Sequence, residues 1–181
     1  MNKLILTLIF AGLSISVCKA QLFHTSKGTI SFHSSTPVED INAVSNQASG
    51  VVSVPKKEVA FLVNMRTFDF PNNTMETHFN EKYVESDKYP HSSFRGKILE
   101  DIDLSKDGEY KVTADGKLNV HGVEQERKIP GIITVKNGIM KIKSEFEVRV
   151  ADHKITIPRL VVKNIAEVIT VKVDMALDPK K

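Results

Sequence analysis

Alternation with a period of two runs through most of this 181-residue chain. In Thr29-Ile30-Ser31-Phe32-His33, Ile30 and Phe32 share one face and polar residues take the other. Val59, Phe61, Val63 and Met65 stand opposite Glu58, Ala60, Leu62 and Asn64. Phe94, Gly96 and Ile98 oppose Ser93, Arg95 and Lys97, and Tyr110, Val112 and Ala114 oppose Lys111 and Thr113. Leu118 and Val120 oppose Lys117, Asn119 and His121. Met140, Ile142, Phe146, Val148 and Val150 oppose Lys141, Lys143, Glu145, Glu147 and Arg149. Near the end, Ile169, Val171, Val173, Met175 and Leu177 oppose Thr170, Lys172 and Asp174. A strand with one dry and one wet face belongs to antiparallel sheet, because parallel strands are usually buried on both sides. Asp107-Gly108, Asp115-Gly116 and Asn137-Gly138 read as tight turns between runs. The expected class is all-β, a sandwich or a closed barrel of sequential strands.

One segment breaks the alternation. In Asn73–Glu85, "NTMETHFNEKYVE", Met75, Phe79 and Tyr83 recur at i, i+4 and i+8, with Val84 beside them. Asn73 with Glu76 three residues later predicts a capped start. Pro90 disfavours helical geometry at Tyr89 and predicts the end, with a strand over Ser92–Leu99 following at once. So short an amphipathic helix is marginal alone in water. It is expected at one end of the sheet, with Met75, Phe79 and Tyr83 facing in as a plug or lid. Val38–Asn46 fits an irregular strand or a turn of helix, with the strand preferred.

The first twenty residues stand apart. A basic start at Lys3 precedes an uncharged apolar run from Leu4 to Val17, and Cys18-Lys19-Ala20 places small residues at the two leader-peptidase positions. This predicts a signal peptide over 1–20, cleavage before Gln21, and a single domain over 21–181. The run is short of the roughly 20 residues that a spanning helix needs, so no stable membrane insertion is expected. A lipoprotein signal would want a small residue before Cys18, where Val17 stands. Cleavage removes the one cysteine, so the fold must rest on its apolar core without disulfides. Loss of Lys3 and Lys19 takes the formal charge from +3 to +1, and no basic tract remains to bind nucleic acid.

Candidate chemistry is sparse. None of the six histidines has a partner at zinc-ligand spacing, which favours solvated or hydrogen-bonded roles. Asp101, Asp103 and Asp107-Gly108 suggest a calcium loop, but the glycine comes two residues late. There is no serine elbow, and Glu124 and Glu126 lie beside Arg127 and Lys128 as an ordinary charged rim. No enzyme, metal or cofactor is expected from this set. Small residues on inward faces, read as Gly96, Ala114, Gly122 and Ser144, leave room inside a barrel that is either hollow or filled by larger neighbours.

Three stretches carry a family resemblance: "GTISFHSS" (28–35), "HFNEKYVESDKYPHSSFRGKI" (78–98) and "ADGKLNVHGVEQERKIPG" (114–131). With the final "EVITVKVDMAL" (167–177), the chain resembles the YceI-like family of lipocalin-like, polyisoprenoid-binding proteins. It departs from the family pattern at "DHKITIP" (152–158), which lacks a glycine, and over 38–57. The resemblance implies an antiparallel lipocalin-like barrel of about eight strands with the short helix at a barrel end. It also implies export to the periplasm or medium and an isoprenoid or other long-chain lipid in an apolar interior, and it carries over no catalytic motif. The apolar lining then falls to Phe32, Phe61, Val63, Phe94, Ile98, Leu118, Val120, Ile142, Phe146 and Val148. The alternative is a filled-barrel structural or protein-interaction domain.

Overall fold

A computed structural model describes residues 22–158 and 163–180. The signal peptide expected over 1–20, and its cleavage point, lie outside them. Eight strands follow the chain: β1 (Leu22–Ser35), β2 (Asp40–Ser53), β3 (Glu58–Asn64), β4 (His91–Ile98), β5 (Gly108–Val120), β6 (Val123–Lys136), β7 (Ile139–Arg149) and β8 (Val168–Pro179). Each pairs antiparallel with its neighbours in sequence, and β8 returns to β1. The result is a closed all-β barrel, with β2 meeting β3 only over Ser49–Ser53 and β6 meeting β7 only over Ile132–Lys136.

Local chemistry corrects several boundaries. Asp115-Gly116 is no turn: β5 runs through it without interruption. Gly116 pairs with Gly96 of β4, and a Cβ on Gly116 would fall 2.4 Å from the Gly96 Cα. The glycines serve a close strand contact. The turn that follows β5 is His121-Gly122, with φ of 52° and 71°. Asn137-Gly138, at 52° and 77°, joins β6 to β7 in the same way. Gly122 therefore stands in a turn and does not widen the interior, as its place on an inward face had suggested. The stretch from Asp40 is strand, and it continues to Ser53, well past Asn46.

The helical segment is α1 (Asn73–His78), continued by one π turn (Phe79–Tyr83). Its cap is Asn72, one residue earlier than expected: Asn72 Oδ1 accepts from Met75 N at 2.9 Å. Pro90 does not end it. Glu85 takes a left-handed φ of 45°, and Ser86 N donates to Asn80 O at 2.8 Å, closing the helix before Pro90 is reached. Lys88 N and Tyr89 N then fold back onto Glu85 O. Pro90 acts later, where its carbonyl accepts from Met65 N at 2.9 Å and β4 begins.

The two barrel ends differ. At one end Phe23, Leu104, Met140, Met175 and Leu177 are each at most 1% exposed and fill the interior. Met175 crosses to β1 and β2, where a Cβ on Gly28 or Gly50 would lie within 3 Å of its side chain. The helix stands at the other end, beside the end of β1 and the start of β4. Among the described residues, no helix is long and apolar enough to cross a membrane.

Candidate functional site

Above the Met175 floor the barrel is hollow. A cavity of about 540 Å³ is walled by residues from all eight strands and from the helix. That lies within the roughly 300–1,000 Å³ usual for small-molecule sites. Its walls follow from the alternation. On β3, Val59, Phe61 and Val63 point in, and Val63 is 5% exposed while Leu62 on the opposite face is 43% exposed. Phe94 and Ile98 of β4, Leu118 and Val120 of β5, and Ile142, Phe146 and Val148 of β7 complete much of the wall. Phe32 enters from β1. All ten residues read as lining therefore stand on this cavity, and Ala114 and Ser144 do too.

Met75, Phe79 and Tyr83 face the same space from the helix. Phe79 stacks on Phe32, with centroids 5.4 Å apart and planes 25° apart. It also meets Phe70 at 4.9 Å and Phe68 at 5.9 Å. The alternation through Val59, Phe61, Val63 and Met65 does not reach Phe68 and Phe70. The signal was available in "TFDF" (67–70), where the alternation resumes. A bridge between Val44 and Asp69, with N···O distances of 3.1 and 2.9 Å, holds this segment against β2. Asp69 is exposed, and Phe68 is 3% exposed. Ile129 and Ile133 of β6 line the cavity as well, beyond the ten residues expected there.

Polar groups gather toward the helix end. Glu39 and Asn164 lie at the wall and pair with each other, Asn164 Nδ2 donating to Glu39 Oε2 at 2.8 Å. Glu39, His78 and Tyr83 are the titratable residues among the described lining, and burial raises the Tyr83 phenol above its ordinary value. His78, read as a solvated or hydrogen-bonded side chain, stands on this wall.

Two other histidines brace the same end from outside the cavity. His121 lies in the β5–β6 turn, off the polar strand face predicted for it, because its left-handed backbone turns it toward the helix. Its Nε2 is 2.8 Å from Glu85 Oε2, and its Nδ1 is 3.0 Å from the His153 carbonyl. His153 is fully buried, with Nδ1 3.0 Å from the Val123 carbonyl. Desolvation lowers its pKa and favours the neutral ring. Among the described residues, no group of three or more histidine, cysteine or acidic side chains is placed to hold a metal ion.

The arrangement can take a slender apolar molecule lengthwise, with a polar end toward the helix. Among the described residues, it brings together no nucleophile, base and orienting group of the sort that acyl or phosphoryl transfer uses.

Comparison with known proteins agrees with this architecture. A polyisoprenoid binding domain from Saccharophagus degradans implicated in plant cell wall breakdown superposes with a TM-score of 0.74 at 13% identity, covering 90% of this chain and all of that one. Burkholderia cenocepacia BcnA superposes with a TM-score of 0.69 at 15% identity, covering 83% of this chain and 96% of that one. A Campylobacter jejuni YCEI protein reaches 0.56 at 16% identity, over 69% of this chain and 73% of that one. At such identities these similarities establish the fold. No curated protein matches the sequence. The sequence pattern of the YceI-like domain matches residues 22–177, nearly the whole described barrel, and the chain belongs to the YceI-like family.

Proposed function

We propose that this protein is an exported carrier that sequesters an isoprenoid, or a similar long-chain lipid, in its barrel and acts in the periplasm or outside the cell. The observation that carries the reading is the apolar cavity between the Met175 floor and the helix, walled by all eight strands. Burial is the mechanism. Each methylene withdrawn from water contributes about 0.8 kcal/mol, so a few isoprene units give ample driving force without any charged contact. The likeness to a polyisoprenoid binding domain supports the ligand class. The apolar run and small residues before Gln21 support export. The apolar wall and the likeness to a polyisoprenoid binding domain support a binding role.

Native mass spectrometry of the exported protein tests both parts. The expected result is a mature chain starting at Gln21 and carrying a lipid that organic extraction removes. A chain that never retains lipid, even when refolded with excess polyprenol, would overturn the carrier reading and favour a structural or protein-interaction role. A mature chain that keeps Cys18 with acyl groups attached would overturn release into the periplasm or medium.

A further inference from the structure

The ladder of the barrel is interrupted in two places, and among the described residues a backbone bridge covers only one of them. β2 leaves β3 beyond Ser49, and there the segment after β3 crosses over: Asp69 bridges Val44, and Ser45 Oγ lies 2.7 Å from Thr67 Oγ1. β6 and β7 part beyond Ile132 and Lys143. Neither strand ends at that point. β6 stays paired with β5 to Val123, and β7 stays paired with β8 to Arg149.

Pro130 explains the parting. It stands opposite Thr113 of β5, whose N–H donates to Glu100 Oε2 and whose carbonyl accepts from Leu99 N. Thr113 thus turns its backbone away from β6, and in an antiparallel pair its partner does likewise. The backbone of Pro130 therefore faces β7, where proline has no N–H to give. Its carbonyl takes a side chain instead, accepting from Ser144 Oγ at 2.6 Å. Pro130 is exposed, and it also lines the cavity with Ile129, Phe146 and Val148. The interior and the outer surface meet at this seam.

Arg127 crosses the seam. It has the inward parity of Ile129 and Ile133, a costly place for a charge unless it is paired. Its guanidinium is not on the cavity wall; Nη2 donates to the Glu147 carbonyl of β7. Beyond it, the contact between His153 Nδ1 and the Val123 carbonyl closes the helix-side end.

We infer that the β6–β7 seam is a lateral portal through which the lipid tail enters and leaves, and that Arg127 is its latch. The inference rests on the carrier reading and supplies its route. Widening the seam breaks no ladder pairing between Pro130 and Val123, and the passing tail meets Ile129, Phe146 and Val148.

The test uses the full chain with its one cysteine, Cys18, changed to serine. Lys128→Cys and Glu147→Cys, on exposed positions either side of the seam, are joined by bismaleimidoethane. Glu147→Cys with Thr170→Cys, a paired position on β8, is the control. Exchange of bound geranylgeraniol for its deuterated form is followed by native mass spectrometry. The seam cross-link should slow exchange at least tenfold, and the control cross-link should not. Arg127→Ala should speed uptake and release together, by about tenfold for one hydrogen bond to a charged group, with equilibrium affinity unchanged. A seam-linked barrel that exchanges as fast as the control overturns the portal and sends the lipid past the helix, while the carrier reading stands. An Arg127→Ala barrel that melts lower but exchanges at the wild-type rate overturns the latch. Failure of wild type to bind geranylgeraniol at all overturns the carrier reading and the portal with it.

Discussion

The ring of Tyr89 occupies the space where a side chain on Gly122 would stand: an ideal Cβ there would fall 2.5 Å from Tyr89 Cε1. Tyr89 ends the segment after the helix, and Gly122 lies in the β5–β6 turn. Tyr89 also meets the His121 ring edge-on, with centroids 4.5 Å apart. The segment that carries the helix is thus docked against a hairpin turn, and the glycine is what allows the approach.

Gly122→Ala should therefore destabilise the fold by roughly 1–3 kcal/mol, through the left-handed φ and the lost space together. Urea denaturation followed by circular dichroism reads the loss. In a Tyr89→Ala background the space is free, so the same substitution should cost measurably less. Simple additivity of the two changes would argue against the docking contact.

Glu85 and His121 close the same junction. Both ring nitrogens of His121 meet acceptors, at 2.8 and 3.0 Å. The His121 side chain is 10% exposed and that of Glu85 is 44% exposed, so solvent screens part of the interaction. A double-mutant cycle with Glu85→Gln and His121→Ala should give a coupling of about 0.5–2 kcal/mol. A coupling indistinguishable from zero would show that the pair does not hold the helix segment.

Phe79 is the centre of the helix-side aromatic cluster. Full burial would make Phe79→Ala cost roughly 3–5 kcal/mol; Phe79 is half-buried, and the expected loss is about 2–4 kcal/mol. The kinetics separate two roles for the helix. If it opens for the lipid, Phe79→Ala should speed lipid release severalfold, beyond what the lowered melting temperature explains. An unchanged release rate would mark the helix as a fixed plug.

His153 predicts a pH dependence with a definite sign. Desolvation holds its folded pKa below the ordinary 6.5, so the unfolded chain binds the proton more readily. The stability tied to its neutral form is fully present above about pH 6.5 and should fall as the pH drops below that value toward the folded pKa. Urea midpoints measured from pH 8 down to pH 5 should show this decline, and His153→Gln should flatten it. A decline of equal slope in the variant would assign the acid sensitivity to other groups.

The strand faces are legible from alternation alone, since the pleat sends successive residues to opposite sides whatever their partners. That is why Phe61, Phe94 and Phe146 could be placed inward from their neighbours alone, and why the helical spacing of Met75, Phe79 and Tyr83 marked one face. Local pattern could not say what a glycine is for. Gly116 reads as half of a turn and proves to be a point of strand contact, while Gly122 reads as strand and proves to be the turn; the difference lies in Gly96 and Tyr89, which are distant in sequence. Nor could it say whether the barrel is hollow. Met175 fills one end because β8 returns to β1 and sets it against Gly28. Those outcomes depend on which side chains closure of the barrel brings face to face, and that is decided only by the packing of the whole chain.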